Sequence, residues 1–180
     1  MFKNLKKNCK GTTLIEILVA ISIFSVVATS VTNLFASLIK YQNEILNKAY
    51  LLNTISFANE YMANALRMAQ KDTTGGCISA GYNFATISGS NVKFLNYNNE
   101  CQEFFLESRA LKVRKLGVSQ ALTPANINIE NLMFVLSGES QNDNLQPKVS
   151  FALKAKMVSN PQQNLRIQTT VSQRMLDVGY

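Results

Sequence analysis

Lys10-Gly11-Thr12-Thr13-Leu14-Ile15-Glu16-Ile17-Leu18-Val19-Ala20-Ile21 is the stretch on which the reading of the chain turns. A basic run stops at a glycine, an apolar segment starts at once, and one carboxylate sits inside it. From Thr12 to Ile39 the sole ionisable side chain is Glu16. At about 1.5 Å per helical residue, that span exceeds a hydrocarbon core of about 30 Å. Neither glycine nor proline occurs between Thr12 and Thr74, so no residue in the span is a strong helix breaker. The stretch predicts one long helix whose first half is soluble in lipid. Glu16 is its exception. A carboxylate in a membrane segment costs a few kcal/mol and is read as functional by default; the alternative is a depth shallow enough to reach the headgroups.

Working outward, the 180 residues allow one globular domain and an appendage. There is no histidine, which removes the usual general base, the commonest metal ligand and every Ser-His or Cys-His dyad. No glycine-rich phosphate cradle is present. Asp72, Glu100, Glu103, Glu107 and Asp143 are scattered over turns and strands, so neither an enzyme nor a cofactor is expected. Glu139, Asn142, Asp143 and Asn144 offer oxygens to calcium, but without the spacing of a defined calcium loop. They read as a polar loop, and no metal is expected. Arg109, Lys112, Arg114 and Lys115 form a basic cluster. It reads as a sheet edge guarded by charge rather than a phosphate-binding face, and nucleic acid is not an expected partner.

Lys40 and Tyr41 stand where a membrane interface is expected. Beyond them Ile45, Ala49, Leu52, Ile55, Met62, Leu66 and Ala69 recur at helical spacing, predicting an amphipathic second half to about Lys71. Asp72-Thr73-Thr74-Gly75-Gly76 ends it, with Gly75 or Gly76 as a left-handed cap. From Cys77 the period becomes two. Strands are predicted at 82–87, 92–97, 103–107, 111–116 and 132–136, with 123–129 irregular. A final hairpin places Val149, Phe151, Leu153, Ala155 and Met157 on one face, turns at Asn160-Pro161, and returns through Leu165, Ile167, Thr169 and Val171. The fold class is α+β, a long helix packed on antiparallel sheet.

Lys10-Gly11, followed by Thr12-Thr13-Leu14-Ile15-Glu16 and an apolar run, resembles the class III signal of type IV pilins and pseudopilins. The resemblance implies a pilin-like fold and cleavage by a prepilin peptidase between Gly11 and Thr12, with N-methylation of Thr12. Glu16 matches the glutamate that follows the cut and would serve assembly. The family most often has phenylalanine after the glycine; this chain has Thr12. The expected divisions are a leader at 1–11, a membrane and assembly half at 12–39, an amphipathic half at 40–74 and a β-rich head at 75–180. Lys3, Lys6, Lys7 and Lys10 precede the cut, so four of the formal +7 charges leave with the leader, and about +3 remains. By the positive-inside rule they hold the amino terminus in the cytoplasm. The chain is then a single-pass protein of the inner membrane with an extracytoplasmic head, later part of a pilus or pseudopilus. A conventional signal cut near Ala28-Thr29-Ser30 would remove Glu16 and interrupt a pattern that continues without a break.

After the leader is lost, Cys77 and Cys101 remain. In an exported protein a bridge between them is expected, with two buried thiols as the alternative. Gln168 to Arg174 is similar to the closing strand of minor pilins and J-type pseudopilins of type II secretion. The resemblance therefore implies a structural subunit, a minor pilin or pseudopilin, whose partners are prepilin peptidase, other subunits and the assembly platform. A pilus-mounted binding module (adhesin or DNA-uptake receptor) and a non-polymerising single-pass protein are the alternatives.

Overall fold

A computed structural model describes residues 11–139 and 145–174. Asn142, Asp143 and Asn144 of the polar loop, and Lys3, Lys6, Lys7 and Lys10, lie outside the described residues. Among the described residues one helix, α1 (Leu14–Arg67), precedes eight strands: β1 (Phe84–Ala85), β2 (Asn91–Leu95), β3 (Cys101–Glu107), β4 (Ala110–Lys115), β5 (Val118–Ala121), β6 (Ile127–Ser137), β7 (Lys148–Met157) and β8 (Asn164–Ser172). The chain forms two compact units, Met1–Leu46 and Asn47–Tyr180. All strands belong to the second. They form two antiparallel meanders, β1-β2-β3-β4-β5 and β6-β7-β8. This is the α+β arrangement expected, consistent with a pilin-like fold.

In the second unit Leu51, Ile55, Ala58, Met62 and Leu66 form the buried stripe of α1. They share one core with Phe94, Phe104 and Val113 of the first sheet and Phe134, Phe151 and Leu153 of the second. Burying each large apolar side chain contributes about 1.5–3 kcal/mol. Tyr61 of α1 meets the Phe104 ring of β3 edge-on at 6.0 Å, tying the helix to the first sheet, and within the second sheet Phe134 lies 5.9 Å from its cross-strand partner Phe151. Ile55, Met62, Leu66 and Ala69 are buried as the periodicity predicts, whereas Ile45, Ala49 and Leu52 are exposed. At about 100° per residue, Leu52 and Ala49 sit about 60° and 120° around the helix from Ile55. Two apolar registers overlap here, and the sheets take only the one through Leu51.

The helix ends at Arg67, short of Lys71, because other segments take its last polar groups. Arg67 O accepts from Arg174 N at 2.8 Å, and Ala69 O accepts from Gln173 Nε2 at 2.8 Å. Gln70 N then donates to Leu95 O at 2.9 Å, starting strand-like pairing where another helical turn was expected. Gly75 does take a positive φ of 78°, but in the following loop rather than as a helix cap.

That loop is built on Asp72, a buried residue. Its Oδ2 accepts from Cys77 N at 2.7 Å and Ile78 N at 3.0 Å. Its Oδ1 accepts from Gly75 N at 2.8 Å, and from Thr74 N and Oγ1 at 3.0 Å each. The backbone bonds from Ile78 and Cys77 above all hold this carboxyl well below the usual carboxylate range. A Cys77–Cys101 disulfide, with Cα atoms 5.2 Å apart, ties the loop to β3. Closing a loop across a separation of 24 residues stabilises by about 3 kcal/mol in the chain-entropy model.

Two strand features depart from the periodicity. β5 follows a two-residue turn in which Leu116 and Gly117 have φ of 49° and 81°, the geometry of a type I′ hairpin. β6 begins at Ile127, inside the segment expected to be irregular. Its register shifts between Ile129 and Asn131, so burial changes from Ile127 and Ile129 to Leu132 and Phe134. The bulge turns Glu130 toward Lys154 at 2.7 Å and Lys156 at 2.5 Å.

The basic cluster does not guard an edge, because β4 lies between β3 and β5. Lys112 pairs with Glu107 at 2.6 Å, pulling that carboxyl below its usual range, and Arg114 pairs with Glu103 at 2.8 Å. Arg114 also stacks 4.4 Å over the Phe105 ring.

Asp72→Ala leaves five donors around it, four backbone N–H groups and the Thr74 hydroxyl, without an acceptor, so the melting temperature of the chain in detergent should fall, and Asp72→Asn should fall between. Unchanged melting in both variants would contradict this account. For Glu130, hydrogen bonds from Lys154 and then Lys156 lower the folded pKa from 4.5 to about 2. Its contribution is present above the unfolded value and lost as pH falls toward the folded one. Glu130→Gln should therefore lower the melting temperature at neutral pH and flatten its decline between pH 4.5 and about 2, measured by melts across a pH series.

Candidate processing and assembly site

Thr13 sets the start of α1. Its carbonyl accepts from Glu16 N at 3.1 Å and Ile17 N at 3.3 Å, so Thr13 is the N-cap and Gly11 and Thr12 stand outside the helix. Both are exposed. A Cβ placed on Gly11 would meet nothing within 4 Å, and its φ lies outside the left-handed range. Neither space nor backbone conformation requires glycine there.

Glu16 lies in the first turn. A negative charge there is favoured by the unpaired N–H groups of the helix end, by about 0.3–1 kcal/mol. Thr13 and Glu16 also have the Thr-x-x-Glu spacing of a capping box. This local role was readable from the sequence and is the one that reasoning from membrane cost alone missed. Glu16 is exposed and makes no ion pair among the described residues. Gly11, Thr12 and Glu16 thus cluster at one helix end, while Cys77 and Cys101 are joined in the other unit.

The helix surface that follows is apolar and uncovered. Leu14 is 82% exposed and Phe24 72%, and the most apolar 18-residue window of α1, with mean hydropathy 2.3, has none of its residues buried. Its hydroxyls turn back on their own helix. Ser22 donates to Val19 O, Ser25 to Ile21 O, Thr32 to Ala28 O and Ser37 to Asn33 O, at 2.8, 2.8, 2.8 and 3.0 Å. Such bonds satisfy the hydroxyls without water, as a hydrocarbon environment demands. By length and composition α1 can cross a membrane.

Among the described residues, no group of three or more Cys, Asp or Glu side chains is placed to hold a metal. An open groove of about 600 Å³ lies between Tyr82, Phe84, Thr86 and Leu136. Its carboxylate, Glu139, accepts from Phe84 N at 3.2 Å, a bond that fixes the start of β1.

No match to this chain was found among curated proteins or among solved structures. Residues 6–32 match the family model described as the prokaryotic N-terminal methylation motif. The match spans the Gly11-Thr12 junction, Glu16 and the uncovered apolar turns of α1. The motif points to a structural subunit rather than an enzyme, and with the apolar helix it fits a membrane-anchored protein processed by a prepilin peptidase. The chain carries, over residues 6–32, the amino-terminal signal of type IV pilins and pseudopilins.

Proposed function

We propose that this chain is a minor pilin or pseudopilin, a structural subunit cut between Gly11 and Thr12, N-methylated at Thr12, and assembled through α1 into a fibre. Its leader is 1–11, its membrane and assembly half 12–39, its amphipathic half 40–74 and its head 75–180. Before assembly it sits in the inner membrane as a single-pass protein, amino terminus in the cytoplasm and head outside. Its partners are prepilin peptidase, the assembly platform and the helices of other subunits.

The observation that carries this reading is the uncovered apolar helix directly after an exposed, structurally unconstrained glycine. Apolar surface on this scale is stable only in lipid or against a partner. Between helices dissolved in lipid, shape and polar pairing must set register, because water exclusion offers nothing. Glu16 supplies the polar element by meeting the Thr12 ammonium of a neighbouring subunit.

Gly11→Ala should insert and fold as the parent does, since a Cβ there meets nothing, but should keep the Met1 terminus. Mass spectrometry of the membrane-bound protein reads this directly, and a parent chain that retains Met1 beside an active prepilin peptidase would sink the assignment. Glu16→Ala should be cut normally yet enter fibres poorly. A truly buried pair broken on one side costs about 3–5 kcal/mol, a loss of on the order of a hundredfold or more in occupancy. Equal incorporation of mutant and parent into sheared fibres removes Glu16 from the mechanism.

A further inference from the structure

Among the described residues two open sheets have four edges, and three of them are short, occupied or marked by a charge. β1 is two residues long. β6 spends Ile129 N on Arg109 O and Phe134 N on Gly89 O. β8 carries Arg166 and reaches α1 through Thr169 Oγ1, which donates to Asn59 Oδ1 at 2.7 Å. β5 differs. All four of its residues are exposed, Val118 by 71%, and Leu116 to Ala121 contains neither a charge nor a proline. Natural sheets ordinarily blunt such an edge.

The pairing phase tells which backbone groups point outward. Leu122 N donates to Leu111 O at 2.8 Å. By the two-residue period, Gln120 and Val118 also turn inward to β4, so Ser119 and Ala121 present N–H and C=O groups outward. Beside this edge, on the face of Val118 and Gln120, a groove of about 140 Å³ is bounded by Tyr61, Val113 and Lys115. The Lys115 ammonium lies 5.5 Å over the Tyr61 ring. Lys112 and Arg114 have carboxylate partners; Lys115 makes no ion pair among the described residues.

We propose that the outer edge of β5 receives an extended segment of another protein as an added strand, with an acidic side chain over the groove facing Lys115. Main-chain bonds to Ser119 and Ala121 supply affinity, and the carboxylate supplies selectivity. A second copy of this edge suits the site poorly, because Val118 to Ala121 bring no carboxylate and would carry a second Lys115 with them.

The test uses the full chain in neutral detergent and two labelled, capped octapeptides, one alternating Thr with Glu and one alternating Thr with Lys. Fluorescence anisotropy should show the Thr/Glu peptide binding at least about tenfold more tightly than the Thr/Lys peptide. Ala121→Pro removes an outward N–H and leaves the β4 ladder intact; it and Lys115→Gln should each weaken binding by about tenfold or more. Hydrogen exchange on the parent complex should slow at Ser119 and Ala121 but not at Val118 or Gln120. No binding of the Thr/Glu peptide, equal binding by Ala121→Pro, or unslowed exchange at Ser119 and Ala121 each overturns the proposal. So does a concentration-dependent dimer lost in Ala121→Pro without peptide binding, which would assign the edge to a second copy.

Discussion

An apolar helical surface that the chain itself leaves uncovered is the constraint from which the rest follows. In water the window within Leu14–Arg67 would expose apolar side chains on every side. In lipid it is at home only if its polar groups need no water. The helical backbone satisfies itself, and the serine and threonine hydroxyls bond to carbonyls three or four residues back. Glu16, at the helix end, is the one ionisable side chain from Thr12 to Ile39, and its position must be explained by something other than solvation.

The same helix then serves a different solvent. In the second unit α1 turns one stripe, Leu51 to Leu66, into the core of two sheets. Its end is closed by the chain's own later residues, Gln173 and Arg174, which occupy carbonyls that a longer helix would have used. Gln173 Nε2 also reaches Asn83 Oδ1 at 3.2 Å, so the helix end, the loop after it and the last strand meet in one buried polar junction. Asp72 and the Cys77–Cys101 bridge hold that loop from inside and from β3. The head is therefore fastened at the helix terminus rather than along the helix alone.

Much of this was legible in the sequence. The helix with its apolar half, the β7–β8 hairpin and the inward set Val149 to Met157 follow from uninterrupted periods of 3.6 and two. What was not legible has local causes. The turn before β5 places Leu116 at a positive φ, a conformation a leucine does not advertise, so one strand was read where two exist. At Glu130 one extra residue reverses the inward phase of β6, and a period-two reading loses the strand there. The helix end moved because its capping partners are about a hundred residues away in sequence, beyond any local pattern. At the candidate site, Gly11, Thr12 and Glu16 were visible as a motif. The structure adds that Gly11 answers to no steric need of its own and that Glu16 stands at a helix cap.

That cap gives Glu16 two electrostatic settings, separated by the proposed cut. In the uncut chain the nitrogen of Thr12 is a peptide amide, and the positive end of α1 is the partial charge of its free N–H groups. Four lysines, Lys3, Lys6, Lys7 and Lys10, lie close by in sequence, all before the junction. Cutting after Gly11 removes those lysines and creates a full positive charge at Thr12, four residues before Glu16. An uncut subunit entering an apolar bundle would bring Glu16 without a neighbouring ammonium to meet it, and would drag a charged leader with it. A cut subunit brings one carboxylate and one ammonium, each able to satisfy a neighbour's opposite group. In the proposed fibre the chemistry of cleavage thus creates the charge that assembly requires, so processing gates assembly by electrostatics as well as by removing the leader.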